Sequence, residues 1–397
     1  MWLVLRTILC SIISVAVVII ALPIWLLVRP LSRSAFRQIT LQVLQPLWFR
    51  SVSAILPHMN IARTGEWPTF DKNRPCVILA NHQIDSDFFV IWRAFEQNSG
   101  SIKIVLKASL SEIPVIGWGI KAFDFLFLSR KFANDQGNLR DHFTSFVVAD
   151  QLPNIGILIF PEGTTLNARD ASKCDAFALR ANRPRCSEFH NHLLLPRSKG
   201  FATILESLSV AMGADNVDVF DLTVVHEGYG GEVPTYEMGY DRKYDHHVPS
   251  MEKLLRHPSL GQLPGVFIHS VRHTASEILQ GEMSVEEWLD KCWVEKGEIV
   301  DTRLRMRRGE HRGEHRGEHR GEHRGERQRL LLSRPREFSP TEIALFGVLL
   351  ATPFLTVVTL PFLILMVLPL LFWVHALVKV KEILLAGVAG EQIMEVK

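Results

Sequence analysis

Apolar residues gather at the two ends of the chain, and the middle alternates between short apolar runs and mixed segments. Residues 8–28, ILCSIISVAVVIIALPIWLLV, carry no charge. At about 1.5 Å of rise per residue such a helix covers roughly 30 Å, the thickness of a bilayer core. The run is longer than the apolar region of a cleaved signal peptide, and only Ser32-Arg33-Ser34 offers a small-x-small site. It reads as an uncleaved anchor. Arg6 precedes it, and Arg29, Arg33 and Arg37 follow it, an asymmetry that places the body in the cytosol. A second run, residues 343–378, holds no Asp, Glu, Lys or Arg and is interrupted by Pro353, Pro361 and Pro369. Arg334 and Arg336 flank one side, Lys379 and Lys381 the other. Basic flanks on both sides favour a hairpin that returns to the cytosolic face over one long kinked helix.

Between these runs the pattern predicts strands at 77–80, 102–106, 123–128, 155–160, 192–195, 217–225 and 265–271. Helical spacing lies between several of them, at 87–97, 139–152 and 199–212. An amphipathic helix from 285 to about 304 presents Trp288, Leu289, Cys292 and Trp293. Strand alternating with helix predicts an α/β layered fold with a largely parallel central sheet flanked by helices.

Composition narrows the function classes. Hydrophobic residues make up 47% of the 397 and charged residues 22%, enough apolar material for a core. Residues 301–337 hold 12 of the 44 basic residues and 7 of the 42 acidic ones, so the rest carries a net charge of −3. A nearly neutral body argues against a nucleic-acid binder. The five cysteines are scattered with no C-x-x-C, which fits a reducing compartment better than a disulfide scaffold or a zinc site. The basic excess is a repeat: RGEH begins at Arg308, Arg312, Arg316 and Arg320, and RGER follows at Arg324. A Gly in every turn and no apolar residue predict a disordered linker. Its histidines, His311 to His323 at four-residue steps, are explained by low-complexity expansion without metal binding.

The segment that carries chemistry is N-H-Q-I-D-S-D at 81–87. On a continuous helix five residues turn about 500°, so His82 and Asp87 meet only if His82 lies in a strand-to-helix turn. A histidine held by a carboxylate has a fixed tautomer and raised basicity, as a general base requires. Asp85 could serve instead, or cap the helix. Three more polar turns follow apolar runs: F-P-E-G-T at 160–164, K-A-S-L-S-E-I-P-V-I-G-W at 107–118 leading to F-L-F-L-S-R at 125–130, and L-L-L-P-R-S-K-G at 193–200. Such ends converge at one edge of a parallel sheet.

In this order the blocks resemble those of the lysophosphatidic acid acyltransferase (PlsC-like) family, in the eukaryotic branch that includes lysocardiolipin acyltransferase-like members. Asn81, His82 and Asp87 match its N-H-x4-D, Arg130 its second block, residues 160–164 its F-P-E-G-T, and Pro196 its fourth block. Phe88 stands where the family often has Trp, and the RGEH tract has no counterpart in it. The resemblance divides the chain into an N-terminal membrane anchor (1–40), an acyltransferase domain (41–300), the linker (301–340) and a C-terminal membrane hairpin with tail (341–397).

The resemblance implies transfer of a fatty acyl group from acyl-CoA to the free hydroxyl of lysophosphatidic acid. His82 would be the base and Asp87 its support. No G-x-S-x-G is present, which disfavours an acyl-enzyme. Arg130 is the candidate for gripping the acceptor phosphate, helped by Lys107, Arg197 and Lys199. Glu162, Gly163, Thr164 and Pro196 would shape that site, with Glu162 ordering it or holding a hydroxyl. Phe125, Phe127 and Trp118 are candidates for lining the acyl groove. Acyl-CoA is a co-substrate, and no cofactor or metal is implied. The bilayer is a partner, the endoplasmic reticulum membrane the expected location and a mitochondrial membrane the alternative. One rival changes the acceptor to lysocardiolipin, lysophosphatidylinositol or another lysophospholipid. Another is a catalytically dead scaffold whose repeat recruits partners, although such a scaffold need not keep His82, Asp87, Arg130 and Glu162.

Overall fold

Apolar runs with no polar alternation suit strands covered on both faces, and such runs supply the centre of one sheet. Its strands are β1 (Met59–Gly65), β2 (Cys76–Ala80), β3 (Ile102–Lys107), β4 (Leu126–Leu128), β5 (Gly156–Ile159), β6 (Asp218–His226), β7 (Leu263–Thr274) and the two-residue β8 (Leu331–Leu332). In this computed structural model they lie in the order β4-β3-β5-β2-β6-β7-β1-β8. The pairs β3–β4, β3–β5, β2–β5, β2–β6 and β1–β7 are parallel; β6–β7 and β1–β8 are antiparallel. The structure describes residues 2–70, 74–95, 102–112, 116–128, 137, 139–142, 145–146, 154–233, 248, 250–257, 263–309 and 331–332. The chain divides into two units, Met1–Glu337 and Phe338–Lys397, and every described residue belongs to the first. The repeat beyond Gly309 and the apolar run at 343–378 lie outside the described residues.

The helices are α1 (Trp2–Leu27), α2 (Arg33–Ile39), α3 (Gln45–Ile55), α4 (Asp87–Ala94), α5 (Ile116–Ala122), α6 (Ala168–Ala181), α7 (Ser198–Met212), α8 (Met251–Arg256), α9 (Ala275–Leu279) and α10 (Val285–Arg308). A capping box between Ser284 and Glu287 starts α10, and Gly309, at φ +70°, ends it after Arg305, Arg307 and Arg308. One face of the sheet packs Val77, Leu79, Ile157 and Val219 against Phe201, Ile204 and Leu208 of α7 and Leu289 and Trp293 of α10. Lys296 pins α10 to β6, its Nζ 2.6 Å from Oδ1 of Asp221 and 2.5 Å from the carbonyl of Leu222.

Two predicted strands need correction, and one strand is additional. Residues 192–195 are not a strand: Leu193, Leu194 and Leu195 are buried, but the N–H of Leu194 donates to Glu162 Oε2 and Pro196 follows. Only 126–128 of the run 123–128 is a strand, because Asp124 takes a left-handed φ of +54°. β1 was not predicted at all. Of the helix predicted at 139–152, residues 139–142 are helical and residues 147–153 lie outside the description.

The N-terminal helix also starts earlier than the uncharged run, at Trp2, and takes Arg6 inside it. Arg6 is buried, and its Nη1 donates to the carbonyls of Leu254 (2.9 Å) and His257 (2.7 Å) at the end of α8. Final carbonyls of a helix lack intrahelical partners, so the guanidinium meets acceptors that need it. Further along, Ser14 Oγ accepts the indole N–H of Trp48 on α3 at 3.0 Å. The outer face keeps Trp2, Val4, Leu5, Ile8, Leu22 and Trp25 exposed. By length and hydropathy α1 is able to cross a membrane.

Candidate active site

Because β2, β5 and β6 are parallel, their carboxyl ends share one edge of the sheet, where α/β folds place their sites. The first loop is anchored by Asn81. Its Nδ2 donates to the carbonyl of Val224 (3.0 Å), and its Oδ1 accepts the N–H of Val224 (2.7 Å). The side chain thus imitates a peptide group and carries the β2–β6 ladder one step past the strand. Asp87, the first residue of α4, then folds the loop back on itself: Oδ2 accepts the N–H groups of Gln83 (2.6 Å) and Ile84 (2.9 Å). That fold brings Nδ1 of His82 to 3.1 Å from the same oxygen, five residues away in the chain.

Asp87 is fully buried, and burial alone would raise its pKa. Hydrogen bonds from His226 and His82, with the charge of both rings, overcome that effect and hold it at about 2. An ionised Asp87 requires a donor at His82 Nδ1, which leaves Nε2 with its lone pair. The His82 ring is part-exposed and stacks on Phe160, centroids 4.3 Å apart. The remaining carboxylate oxygen, Oδ1, accepts from Nε2 of His226 at 2.8 Å. Asp85 faces elsewhere: its Oδ1 accepts the N–H of Met251 at the start of α8.

The turn after β5 supports this loop from beneath. Glu162 is buried, with Oε1 accepting the N–H of His82 (3.1 Å) and Oε2 that of Leu194 (3.2 Å). Burial pushes its carboxyl up to about 8 against the pull of those two amides. Gly163 has φ +71°, and a Cβ there would lie 3.3 Å from the guanidinium carbon of Arg197. Both the backbone and the close cation therefore call for glycine.

Beside Phe160 opens a cavity of about 620 Å³. Its apolar wall includes Val105, Leu106, Leu139, Ile159, Phe177 and Leu195. Glu162, Gly163, Thr164, Pro196, Arg197 and Lys199 also line it, so six of the sequence-derived site residues meet here. Arg183 is engaged at the rim: it grips Asp290 through two nitrogens (3.0 and 2.6 Å) and donates to the carbonyl of Pro196. Lys107 ends β3, but its side chain lies outside the described residues, as does all of Arg130. The groove-lining expectation is corrected for two of its residues. Phe125 is buried in the core beside Trp92, and Phe127 is not among the cavity residues. The Trp118 side chain lies outside the described residues. Among the described residues no group of three or more His, Cys, Asp or Glu side chains could hold a metal ion.

Sequence reasoning missed His226 and the role of Asn81. The signal for His226 was the first polar side chain able to donate at the end of the apolar run 217–225. The signal for Asn81 was its place directly after β2.

Comparison with known proteins finds relatives among acyltransferases. Residues 60–226 match the family described as Acyltransferase, a span that opens in β1 and closes on His226. The chain is 30% identical over 232 residues to an uncharacterized acyltransferase of Schizosaccharomyces pombe, covering 57% of this chain and 59% of that one. It is 31% identical over 196 residues to the probable 1-acyl-sn-glycerol-3-phosphate acyltransferase 5 of Arabidopsis thaliana, covering 48% of each. It is 27% identical over 273 residues to lysocardiolipin acyltransferase 1 of Danio rerio, covering 67% of this chain and 62% of that one. The chain thus spans about half to three fifths of the length of these relatives.

Proposed function

Residues 60–226 match the Acyltransferase family, and on that premise we propose that the chain transfers a fatty acyl group from acyl-CoA to the free hydroxyl of lysophosphatidic acid. The observation that carries this reading is the His82–Asp87 pair with Nε2 open, set beside a cavity with an apolar wall and a basic rim. The hydroxyl gives its proton to Nε2 as its oxygen attacks the thioester carbonyl carbon. Asp87 stabilises the imidazolium that forms. The new C–O bond replaces the C–S bond, and the departing thiolate of CoA recovers the proton from His82. General-base help of this kind contributes roughly 10²- to 10⁴-fold.

The acyl chain suits the apolar wall. Arg197 and Lys199 at the rim, with Arg130, suit the acceptor phosphate, since a guanidinium pairs with phosphate oxygens through two bonds. The exposed apolar face of α1 supports a membrane location, proposed as the endoplasmic reticulum with the site facing the cytosol. The match to lysocardiolipin acyltransferase 1 supports a second acceptor class, lysocardiolipin or another lysophospholipid.

The test is thiol release from oleoyl-CoA by the purified full chain, with product lipids read by mass spectrometry. Lysophosphatidic acid, lysophosphatidylinositol and lysocardiolipin would be offered in parallel. Release that depends on an acceptor and vanishes in His82→Ala supports acyl transfer, and the acceptor giving the highest kcat/KM names the substrate. No release above the His82→Ala background with any acceptor sinks the enzyme reading in favour of a scaffold.

A further inference from the structure

Asp87 serves two histidines, and the reaction above uses one of them. His226 closes β6, 139 residues from Asp87 in sequence, and its ring is buried. Among the described residues it is the sole partner of Asp87 Oδ1, whereas Oδ2 is shared by His82, Gln83 and Ile84. Its own Nδ1 is buried without a partner among the described residues. The ring therefore makes one polar contact, and that contact ends on the catalytic carboxylate.

We propose that His226 is a positioning residue for acyl transfer: its Nε2–H fixes Oδ1 of Asp87, and the carboxylate so fixed orients His82 and keeps it available as a base. The inference rests on the acyl-transfer reading. Its physical content is an anion that needs donors. The titratable groups facing Asp87 are the rings of His82 and His226, whose charge favours the anion, and the carboxyls of Asp85 from the same loop and Glu162 from the turn after β5, whose own ionisation its negative charge opposes. With no Lys or Arg beside it among the described residues, Asp87 depends on the N–H groups of its loop and of the two histidines, and one oxygen depends on His226 alone. Removing that donor leaves a buried carboxylate oxygen bare, and the bare anion draws a proton onto itself or onto His82. In either case His82 is lost as a base at a higher pH than before, and the acidic limb of the rate profile moves upward.

The test uses the full chain in three forms. His226→Phe keeps the ring's bulk without the donor. His226→Gln returns an N–H donor near the position of Nε2 but does not titrate. His226→Phe should lower kcat about ten- to a hundredfold, the range for losing a hydrogen bond to a charged group, with both KM values within about twofold. The acidic limb of kcat/KM should move to higher pH. His226→Gln should restore most of the rate and the wild-type limb. A histidine that only fills space would leave the pH profile of the folded fraction unchanged, and Gln would rescue no better than Met.

A second readout needs no substrate: the rate at which diethyl pyrocarbonate modifies His82, followed against pH by mass spectrometry. Its midpoint should rise in His226→Phe and return in His226→Gln. If wild type acylates no acceptor but this midpoint moves, the acyl-transfer reading fails and the coupling of the two histidines stands. An unmoved midpoint together with an unmoved rate profile overturns the inference. Should the Phe chain not fold, His226→Met takes its place; if neither donor-less chain folds, the bond is structural and the positioning role falls.

Discussion

Glu162 and His82 are separated by 80 residues and joined by one hydrogen bond, in which Oε1 accepts the backbone N–H of the histidine at 3.1 Å. The other oxygen holds Leu194, whose neighbours lead to Pro196 and Arg197. One carboxyl group therefore fixes the loop that carries the base to the loop that carries the cationic rim. Its chemistry is that of a brace, and its burial gives the brace a pH dependence.

That dependence has a definite sign. The folded-state pKa of Glu162 is raised to about 8, above the ordinary carboxylate value. Its contribution to stability is complete below the unfolded-state value and is lost as pH rises through about 8. Urea midpoints measured at pH 5 and pH 9 should show wild type losing stability between them, and Glu162→Gln losing less. Gln also places an amide N–H2 where an acceptor is needed, leaving one buried N–H unpaired at a cost of about 1–3 kcal/mol. An equal pH dependence in both chains would disprove the assignment.

His82→Ala should lower turnover about 100-fold or more with little change in expression or membrane association. Asp87→Asn should also lower it strongly, since an amide cannot accept from His82, Gln83, Ile84 and His226 through one oxygen. Steady-state thiol release decides the matter, and a third of the wild-type rate surviving in His82→Ala would remove the base from the mechanism.

Asn81→Ala deletes both bonds to Val224 and strands the buried N–H of that residue. The expected loss of stability is about 2–4 kcal/mol. Asn81→Asp keeps the acceptor but not the donor and should fall between. Denaturant unfolding of the three chains orders them, and an Ala chain as stable as wild type contradicts the ladder role.

Arg197→Ala and Arg130→Ala should each raise KM for the lysophospholipid roughly tenfold and change KM for acyl-CoA less. Lys at either position should recover only part, because an ammonium lacks the planar fork. Kinetics with both substrates varied tests this; equal effects on the two KM values argue for a surface ion pair worth under about 1 kcal/mol instead.

Deleting residues 310–326 while keeping Gly309, which ends α10 at φ +70°, should leave specific activity nearly unchanged. A large fall in a chain that still folds would make the repeat part of the enzyme.

Local chemistry announced much of this molecule. Apolar runs marked β2, β3, β5, β6 and β7, and the N-H-x4-D spacing marked a loop that had to curl. What escaped depends on distant contacts. β1, M-N-I-A-R-T-G, has little strand character of its own and exists because it pairs with β7 some 200 residues later in the chain. Residues 192–195 have full strand character but meet a carboxylate and a proline instead of a neighbouring strand. His226 had no spacing to Asp87 that a reader could test, because the sheet alone makes them neighbours.

The six-residue helix α8 is held at both ends by side chains from other parts of the chain. Its first N–H donates to Asp85, two residues before the catalytic Asp87, and the carbonyls at its end accept from Arg6 of the apolar helix α1. The three segments form a mechanical strut running from the hydrophobic surface of α1 to the loop of the base. Trimming α1 to obtain a water-soluble enzyme would thus uncouple that strut at one end, with the other end still attached to Asp85. A truncated chain is for that reason a different catalyst from the whole one, and its rate reports the slack as well as the chemistry.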